Sequence, residues 1–407
     1  MNRSELAILL KEHNQEHILD YYDKSSISDR NKLVSQIQNI DWGLLGLIDR
    51  EKTQQRGNFE PLEGMSIEQI DANKKPYYDM GIKTISDGKV AAVLLAGGQG
   101  TRLGCDGPKG MVNIGLTKDV FIFELLIKNI MSVTVEANAW IPLYIMTSIK
   151  NNEQTIAFLE DQDYFGYPKE YITFYIQDMT PSVDFEGKLL MESNDSLSLS
   201  PNGNGGWFSS MVKANLLDDL HRHSIEWINV FSVDNVLQKI ADPIFIGATI
   251  ASNSQSGAKV VRKANPNERV GVLCLEDGKP SIVEYYEMTD EMANARNDNG
   301  DLSYAHGVIL NYLFRLDKLE DILNIDLPIH VVEKKIPYLT MDGQYIKPSK
   351  PNGYKFEELV LDMIHLFDNC LPFEVVRENE FAPIKNATGV DSISTARQLL
   401  MENGYNL

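Results

Sequence analysis

An α/β fold, a mixed and mostly parallel sheet flanked by helices, is predicted by three features of this sequence. From Val90 onward, short apolar runs of strand length alternate with stretches of helical periodicity. The first of these runs, Val90-Ala91-Ala92-Val93-Leu94-Leu95, is continuous, as in a strand buried on both faces, and stops at Gly97-Gly98. The length of 407 residues, with 43% hydrophobic and 24% charged side chains, suits one large domain with smaller appendages.

Residues 1–85 read as a helical N-terminal segment. Leu6, Leu9, Leu10 and His13 share one helical face, and Leu33, Val34, Ile37 and Ile40 repeat the spacing. Within this segment residues 53–75, rich in glycine, proline and polar side chains, read as a connecting loop. Residues 86–390 form the main domain. After the first strand a helical pattern starts at Asp119 and carries Phe121, Leu125 and Ile130. Further strands are expected at 143–146, 172–176 and 227–233, with helices near 154–159 and 209–221. Residues 270–275 and 281–285, joined through Asp277-Gly278, read as a hairpin added to the sheet. Residues 391–407 read as a short C-terminal helix and tail. In open sheets of this kind ligands bind beyond the carboxyl ends of the strands.

Charge and cysteine usage narrow the function classes. Thirty-eight basic against 58 acidic side chains give a formal charge of −20, a field that opposes non-specific binding to nucleic acid or anionic lipid. A few lysines in a cleft can still reverse that sign locally for a polyphosphate. Cys105, Cys274 and Cys370 lie far apart, with neither a C-x-x-C pair nor zinc spacing, which fits a reducing compartment. Charged residues interrupt the N-terminus early and no run approaches a membrane span, so a cytoplasmic protein without membrane or nucleic-acid partners is expected.

The strongest local signal is Leu95-Ala96-Gly97-Gly98-Gln99-Gly100-Thr101-Arg102-Leu103-Gly104, followed by Pro108-Lys109-Gly110. Glycines at the end of a buried strand let the backbone approach a ligand, and their N–H groups can face phosphate oxygens. Arg102 and Lys109 would add fixed positive charge over the same phosphates. A Walker A loop needs Gly-Lys-Ser/Thr, which is absent, and a G-x-G-x-x-G fingerprint would need glycine at Leu103. A chain-reversing turn does not require Arg102 and Lys109 at these offsets. Asn297-Asp298-Asn299-Gly300 fails as a calcium loop, because Ala295 and His306 would occupy its first and twelfth positions. His221 and His223 near a helix end read as caps or solvated side chains.

These motifs resemble the signature of the eukaryotic-type UDP-sugar pyrophosphorylases, and within that family most nearly the UDP-N-acetylglucosamine pyrophosphorylases. The resemblance continues through Gln15-Glu16-His17, Gln177-Asp178-Met179-Thr180-Pro181, Pro201 to Gly206, Val233-Asp234-Asn235, Ala241-Asp242-Pro243 and Gly257 to Asn265. Val270-Gly271-Val272, Val283-Glu284-Tyr285, Lys334-Lys335-Ile336-Pro337, Pro351-Asn352-Gly353 and Pro383-Ile384-Lys385-Asn386 follow in order. It implies a nucleotide-diphospho-sugar transferase fold of Rossmann-like type. It also implies a reaction in which UTP and N-acetylglucosamine 1-phosphate give UDP-N-acetylglucosamine and pyrophosphate, with Mg²⁺ as cofactor.

The resemblance assigns roles residue by residue. Arg102, Lys109 and Lys385 are the catalytic cations on the phosphates. Gly97, Gly98, Gly100, Thr101, Gln177 and Gly203 bind the nucleotide, Gln177 by pairing its amide with the uracil edge. Asn204 and Glu284 contact the sugar, and Asp234 is the metal ligand. On local sequence alone, Asp234-Asn235 reads equally as a helix cap or turn. Two departures stand out. Counting without gaps from Glu284, the family's Gly-Asn pair near the sugar falls at Gly307-Val308, so valine stands where the family has asparagine. Asn311 is the candidate to stand in for it. Longer members also continue past Arg397 into a β-rich domain that contributes to subunit association in some of them, so a monomer is expected here. A UDP-glucose, UDP-galactose or broad UDP-sugar pyrophosphorylase is the near alternative. A glycosyltransferase that consumes a UDP-sugar is the runner-up enzyme, and the pairing of the Gly-Gly-x-Gly-Thr-Arg loop with Pro-Lys-Gly stands against it. A non-catalytic nucleotide-sugar sensor fits poorly with the retained Arg102, Lys109, Asp234 and Lys385.

Overall fold

The computed structural model describes residues 1–48 and 56–407, so residues 53–55 of the expected loop lie outside the described residues. Contacts divide the chain into two units, each built from three segments. The larger comprises Gly57–Gln177, Trp207–Asp326 and Leu361–Leu407, and the smaller comprises Met1–Arg56, Asp178–Gly206 and Leu327–Val360. The boundaries at 85/86 and 390/391 do not coincide with these units. The physical reason is pairing: strand Phe59–Pro61 adds to the main sheet against Val272–Glu276, and helix Lys74–Ser86 packs on helix Pro243–Ala251.

The larger unit is organised by a ten-stranded sheet. Its main path runs Phe59–Pro61, Val272–Glu276, His306–Arg315, Trp227–Ser232, Val90–Leu95, Leu143–Thr147, Ile172–Ile176. The last four are parallel, and His306–Arg315 runs antiparallel to Trp227–Ser232. Every residue of Val90–Leu95 and of Leu143–Thr147 is buried, as continuous apolar runs require when helices cover both faces. Helices Ile122–Ala137 and Asn152–Asp161 supply the crossovers that parallel strands need. The expected hairpin forms from Val272–Glu276 and Lys279–Val283, with Asp277 and Gly278 at φ of 50° and 81°, as a two-residue hairpin turn demands.

Within the expected 53–75 loop, the described part contains a strand and a helix, Ile67–Ala72. Its signal is the capping box in which Ser66 accepts from the Gln69 N–H and Gln69 answers to the Ser66 N–H. Helix Lys74–Ser86 then meets helix Pro243–Ala251 backbone to backbone. A Cβ on Gly81 would lie 1.8 Å from the Pro243 carbonyl oxygen, and one on Gly247 would lie 1.8 Å from that of Tyr77.

In the smaller unit the N-terminal helices do what their periodicity predicts. Leu6 and Leu10 of helix Arg3–Glu12, and Leu33, Val34 and Ile37 of helix Ile27–Gln38, are buried with Val183, Leu189, Met191, Leu197 and Phe356. His13 stacks on Trp42 with ring centroids 4.1 Å apart. Gln15 is 2% exposed and ties the chain to the later segment: its amide donates to the Gly187 carbonyl, and its oxygen accepts the Leu189 N–H. A helix-period pattern reveals the apolar face but not which distant segment will cover it.

Replacing Gly247 with alanine is expected to destabilise the protein by about 1–3 kcal/mol, because overpacking outweighs alanine's helix propensity. A lowered midpoint in thermal denaturation checks this; an unchanged or raised midpoint would show that the two helices can part at little cost.

Candidate active site

The site residues of the larger unit collect where the strand order reverses. Val90–Leu95 continues through parallel neighbours to one side, while its other neighbour, Trp227–Ser232, arrives much later in the chain. Such switch points open a crevice at the carboxyl ends. Leu95 pairs with Ser232, so Gly97 and Asp234 emerge at equivalent depths on its two sides.

The glycine loop is closed by its own backbone. Gly100 N–H donates to the Gly107 carbonyl at 2.8 Å, Cys105 N–H to that of Gly100 at 3.1 Å, and Lys109 N–H to that of Gly98 at 3.1 Å. The N–H groups of Gly97 and Gly98 have no partner among the described residues, which leaves them available to an anion. Thr101 and Arg102 form an exposed turn, Thr101–Leu103, above this loop. Asn151 holds the loop from below: it is 1% exposed, and its amide donates to the carbonyls of Ala96 (2.9 Å) and Gly98 (3.3 Å). Asn151 directly precedes helix Asn152–Asp161 and makes no side-chain cap bond there. Gln177, 5% exposed, lies against Gly97: a Cβ there would sit 2.2 Å from the Gln177 amide oxygen. Glycine at 97 therefore leaves room for the Gln177 side chain.

Across the switch point, Lys109 Nζ meets Asp234 Oδ1 at 2.6 Å, with side-chain exposures of 11% and 33%. Asp234 lies in a turn, one of its two local readings, and that turn is tied to a distant segment. The Asp234 carbonyl accepts the Ile384 N–H at 2.9 Å, and Asn235 Oδ1 accepts the Ala382 N–H at 2.9 Å. This brings Lys385 next to the aspartate, although 145 or more residues separate the segments. Lys385 is half exposed, with its ammonium 3.4 Å from Asp391. Lys109 and Asp234 thus meet beside the glycine loop, and Ile384, the residue before Lys385, is bonded to the Asp234 carbonyl.

Among the described residues no three His, Cys, Asp or Glu side chains cluster, and Asp234 is the carboxylate the resemblance assigns to a metal. One carboxylate completed by phosphate oxygens and water is the set a hard Mg²⁺ ion takes in nucleotide sites. Asp242, from the Ala241-Asp242-Pro243 motif, serves elsewhere. It is buried, caps helix Pro243–Ala251 through the Ile244 N–H, and pairs with Lys259 at 2.8 Å. Burial would raise its carboxyl, but the charge and hydrogen bond of Lys259 hold it below the ordinary value.

Glu284 lies half buried just beyond strand Lys279–Val283. A Cβ on Gly271 would lie 3.3 Å from its carboxylate, and the Gly271 carbonyl accepts the Val308 N–H at 2.9 Å. Glu284 and Val308 therefore flank Gly271 from its two neighbouring strands. Asn311 does not stand in for an asparagine there. It is fully buried, donates to Gln238 Oε1 and the Lys239 carbonyl at 3.2 Å, and accepts from Asn229 at 2.8 Å. Lys263, which no motif singled out by role, is buried with Nζ 3.0 Å from the Pro266 carbonyl, and burial lowers its pKa.

In the smaller unit Gly203 and Asn204 lie against residues 358–360. Gly203 adopts φ 91°, with the Glu358 carbonyl oxygen 2.2 Å from where a Cβ would be, and Asn204 Oδ1 accepts the Val360 N–H at 3.0 Å. Asn204 therefore anchors a turn and keeps its amide N–H groups for other partners. His221 pairs with Glu320 and His223 bonds the Asp219 carbonyl, both structural roles.

Known proteins match this chain over most of its length. The sequence model of the family described as UTP–glucose-1-phosphate uridylyltransferase matches residues 34–403. UDP-N-acetylglucosamine pyrophosphorylase of Saccharomyces cerevisiae is 37% identical over 363 residues, covering 85% of this chain and 76% of its own. UDP-N-acetylhexosamine pyrophosphorylase-like protein 1 of Mus musculus is 34% identical, covering 97% and 83%. The crystal structure of uridine diphosphate N-acetylglucosamine pyrophosphorylase from Trypanosoma brucei, in complex with an inhibitor, superimposes with a TM-score of 0.85. It does so at 27% identity over 99% of this chain and 85% of that one. With its glycine loop, switch-point aspartate and flanking lysines in an α/β nucleotidyltransferase fold, the chain belongs to the UTP–glucose-1-phosphate uridylyltransferase family.

Proposed function

We propose that this protein is a uridylyltransferase joining UTP to N-acetylglucosamine 1-phosphate, with UDP-N-acetylglucosamine and pyrophosphate as products. The observation that carries the reading is the contact of Lys109 with Asp234 at the switch point, beside an open glycine loop and bonded through the Asp234 carbonyl to Ile384, the residue before Lys385. The names of the yeast and trypanosomal relatives support the N-acetylated sugar.

In the proposed reaction an oxygen of the sugar 1-phosphate attacks the α-phosphorus of UTP. The bond from that phosphorus to the oxygen bridging to the β-phosphate breaks, and pyrophosphate leaves with that oxygen. The chain's task is alignment and charge neutralisation rather than covalent chemistry. The N–H groups of Gly97 and Gly98 and the charges of Arg102, Lys109 and Lys385 receive the phosphates, with Gly100 and Thr101 shaping the loop. Gln177 reads the uracil, and Glu284 binds sugar hydroxyls. Gly203 and Asn204 are assigned to nucleotide and sugar by resemblance alone. A divalent ion, Mg²⁺ by its chemistry, would be held by Asp234 and would spread charge over the phosphates. In the ligand-free protein Lys109 neutralises Asp234; with nucleotide bound, its ammonium turns to a phosphate oxygen.

The direct test incubates the protein with UTP, Mg²⁺ and N-acetylglucosamine 1-phosphate and follows pyrophosphate release, with glucose 1-phosphate in parallel. Release favouring the N-acetylated sugar is expected, and Asp234→Asn is expected to cut it by about 10²–10³-fold. No release with either sugar would refute the reading, and release with glucose 1-phosphate alone would refute the sugar.

The second reading, a UDP-glucose or broad UDP-sugar pyrophosphorylase, draws on Val308, an apolar side chain across Gly271 from Glu284. A buried hydrogen bond that a valine cannot make is worth about 0.5–1.5 kcal/mol. Val308→Asn is therefore expected to change kcat/KM for N-acetylglucosamine 1-phosphate by about 2–10-fold, since 1.4 kcal/mol corresponds to tenfold. An unchanged ratio between the two sugars would remove position 308 from sugar choice.

A further inference from the structure

Behind the switch point the larger unit buries a full charge. Lys259, on strand Ser256–Arg262, is 0% exposed and touches three acceptors from two other segments. Its Nζ lies 2.8 Å from Asp242 Oδ2, 2.6 Å from Glu380 Oε2 and 3.2 Å from the Lys239 carbonyl. Lys239 adds its own ammonium 3.5 Å from Glu380 Oε1, so two cations face two carboxylates. Burial opposes the charge on Lys259, yet Asp242 and Glu380 together hold its pKa above the ordinary value.

The surrounding backbone is arranged around this cluster. Opposite Lys259 the strand His306–Arg315 bulges: Ala258 pairs with Tyr312 but Val260 with Val308, and Leu310 sits at φ 55°. That is a left-handed conformation disfavoured for leucine. The bulge accompanies an inward-facing Asn311, whose amide donates to the same Lys239 carbonyl that receives Lys259. From Glu380 the connection runs directly to the site. The Glu380 carbonyl accepts from Asn235 Nδ2 at 2.7 Å, Asn235 Oδ1 accepts the Ala382 N–H, and the Asp234 carbonyl accepts the Ile384 N–H. A buried ion cluster is a poor stabiliser relative to apolar packing, because desolvation consumes most of its attraction. What such a cluster supplies is a fixed geometry, since every member must stay partnered.

We propose that Lys259, acting with Asp242 and Glu380, is a positioning residue for nucleotidyl transfer. It clamps the 380–385 segment against Asp234 so that the Lys385 ammonium and the Asp234 carboxylate address the same phosphates. This rests on the pyrophosphorylase reading above. Lys259 touches no substrate; it acts through the backbone of residues 380–384.

Lys259→Met alone would strand two buried carboxylates, so the test uses the uncharged triple variant Lys259→Met, Asp242→Asn, Glu380→Gln. Lys259→Arg, which keeps the charge and overfills the pocket, is the second variant should the triple not fold. Two measurements are made. Amide hydrogen exchange at Ala382 and Ile384 is expected to accelerate by about tenfold or more while Val93 and Ile145 stay protected, as a local opening requires. The kcat of pyrophosphate release is expected to fall by about tenfold or more, with KM for UTP within about threefold, since the lost contact acts on the transition state. In a Lys385→Ala background the same substitutions are expected to cost less than about twofold further, because the clamp then has no ammonium to place. An equal loss in both backgrounds would make the cluster merely structural and overturn the proposal, as would unchanged exchange at Ile384. If the wild-type protein releases no pyrophosphate, the proposed reaction falls, and the exchange measurement alone decides the clamp.

Discussion

The parallel pairing of Trp227–Ser232 with Val90–Leu95 is the constraint on which the rest of the larger unit depends. Its register sets Leu95 against Ser232, and that alone brings the glycine loop and Asp234 to one edge at one depth. The pairing is possible because both strands are apolar on both faces and helices cover the sheet. Once it is made, the 2.6 Å approach of Lys109 to Asp234 follows from where the loop's own hydrogen bonds return the chain. A slip of one residue would turn every side chain of the strand to the opposite face.

Charge is distributed on two scales. The protein as a whole carries −20, which repels polyanions from most of its surface. At the switch point Lys109 pairs with Asp234 and Lys385 with Asp391, and the glycine loop offers N–H dipoles beside them. The cluster behind it, Lys259 with Asp242 and Glu380, is closed to solvent and balanced by Lys239. Lys385 is half exposed and Lys109 partly so, whereas Lys259 is fully buried. Both sets use the same residue types, and only burial distinguishes their tasks.

The sequence made some parts of this legible and concealed others, for identifiable reasons. Continuous apolar runs disclosed the buried strands, and Asp277-Gly278 disclosed the hairpin, because both signals are local. The resemblance located Lys109, Asp234 and Lys385, but their proximity depends on pairing between segments far apart in the chain. Asn151 lies in none of the motifs, and Asn235 read as part of a cap or turn; their role in holding loop carbonyls and amides is visible only in three dimensions. Asp242 lay in a motif shared with the metal-site strand, yet its burial beside Lys259 gives it to the inner cluster. Asn311 was the plausible substitute for an asparagine at 308; the bulge at Leu310 commits it to Gln238 and Lys239 instead. The linear division at residues 85 and 390 gave way to units assembled from three segments each, which no local pattern can announce.

The claim at the centre of this account is that Asp234, a lone carboxylate neutralised by Lys109, becomes a metal ligand only when nucleotide phosphates complete the set. Mn²⁺ binding, followed by electron paramagnetic resonance with and without UTP, tests it without relying on turnover. The account predicts weak Mn²⁺ binding to the protein alone and tightening by about tenfold or more over Mn²⁺ and UTP without protein, lost in Asp234→Asn. Tight Mn²⁺ binding in the absence of nucleotide, or UTP-dependent binding that survives Asp234→Asn, would contradict it.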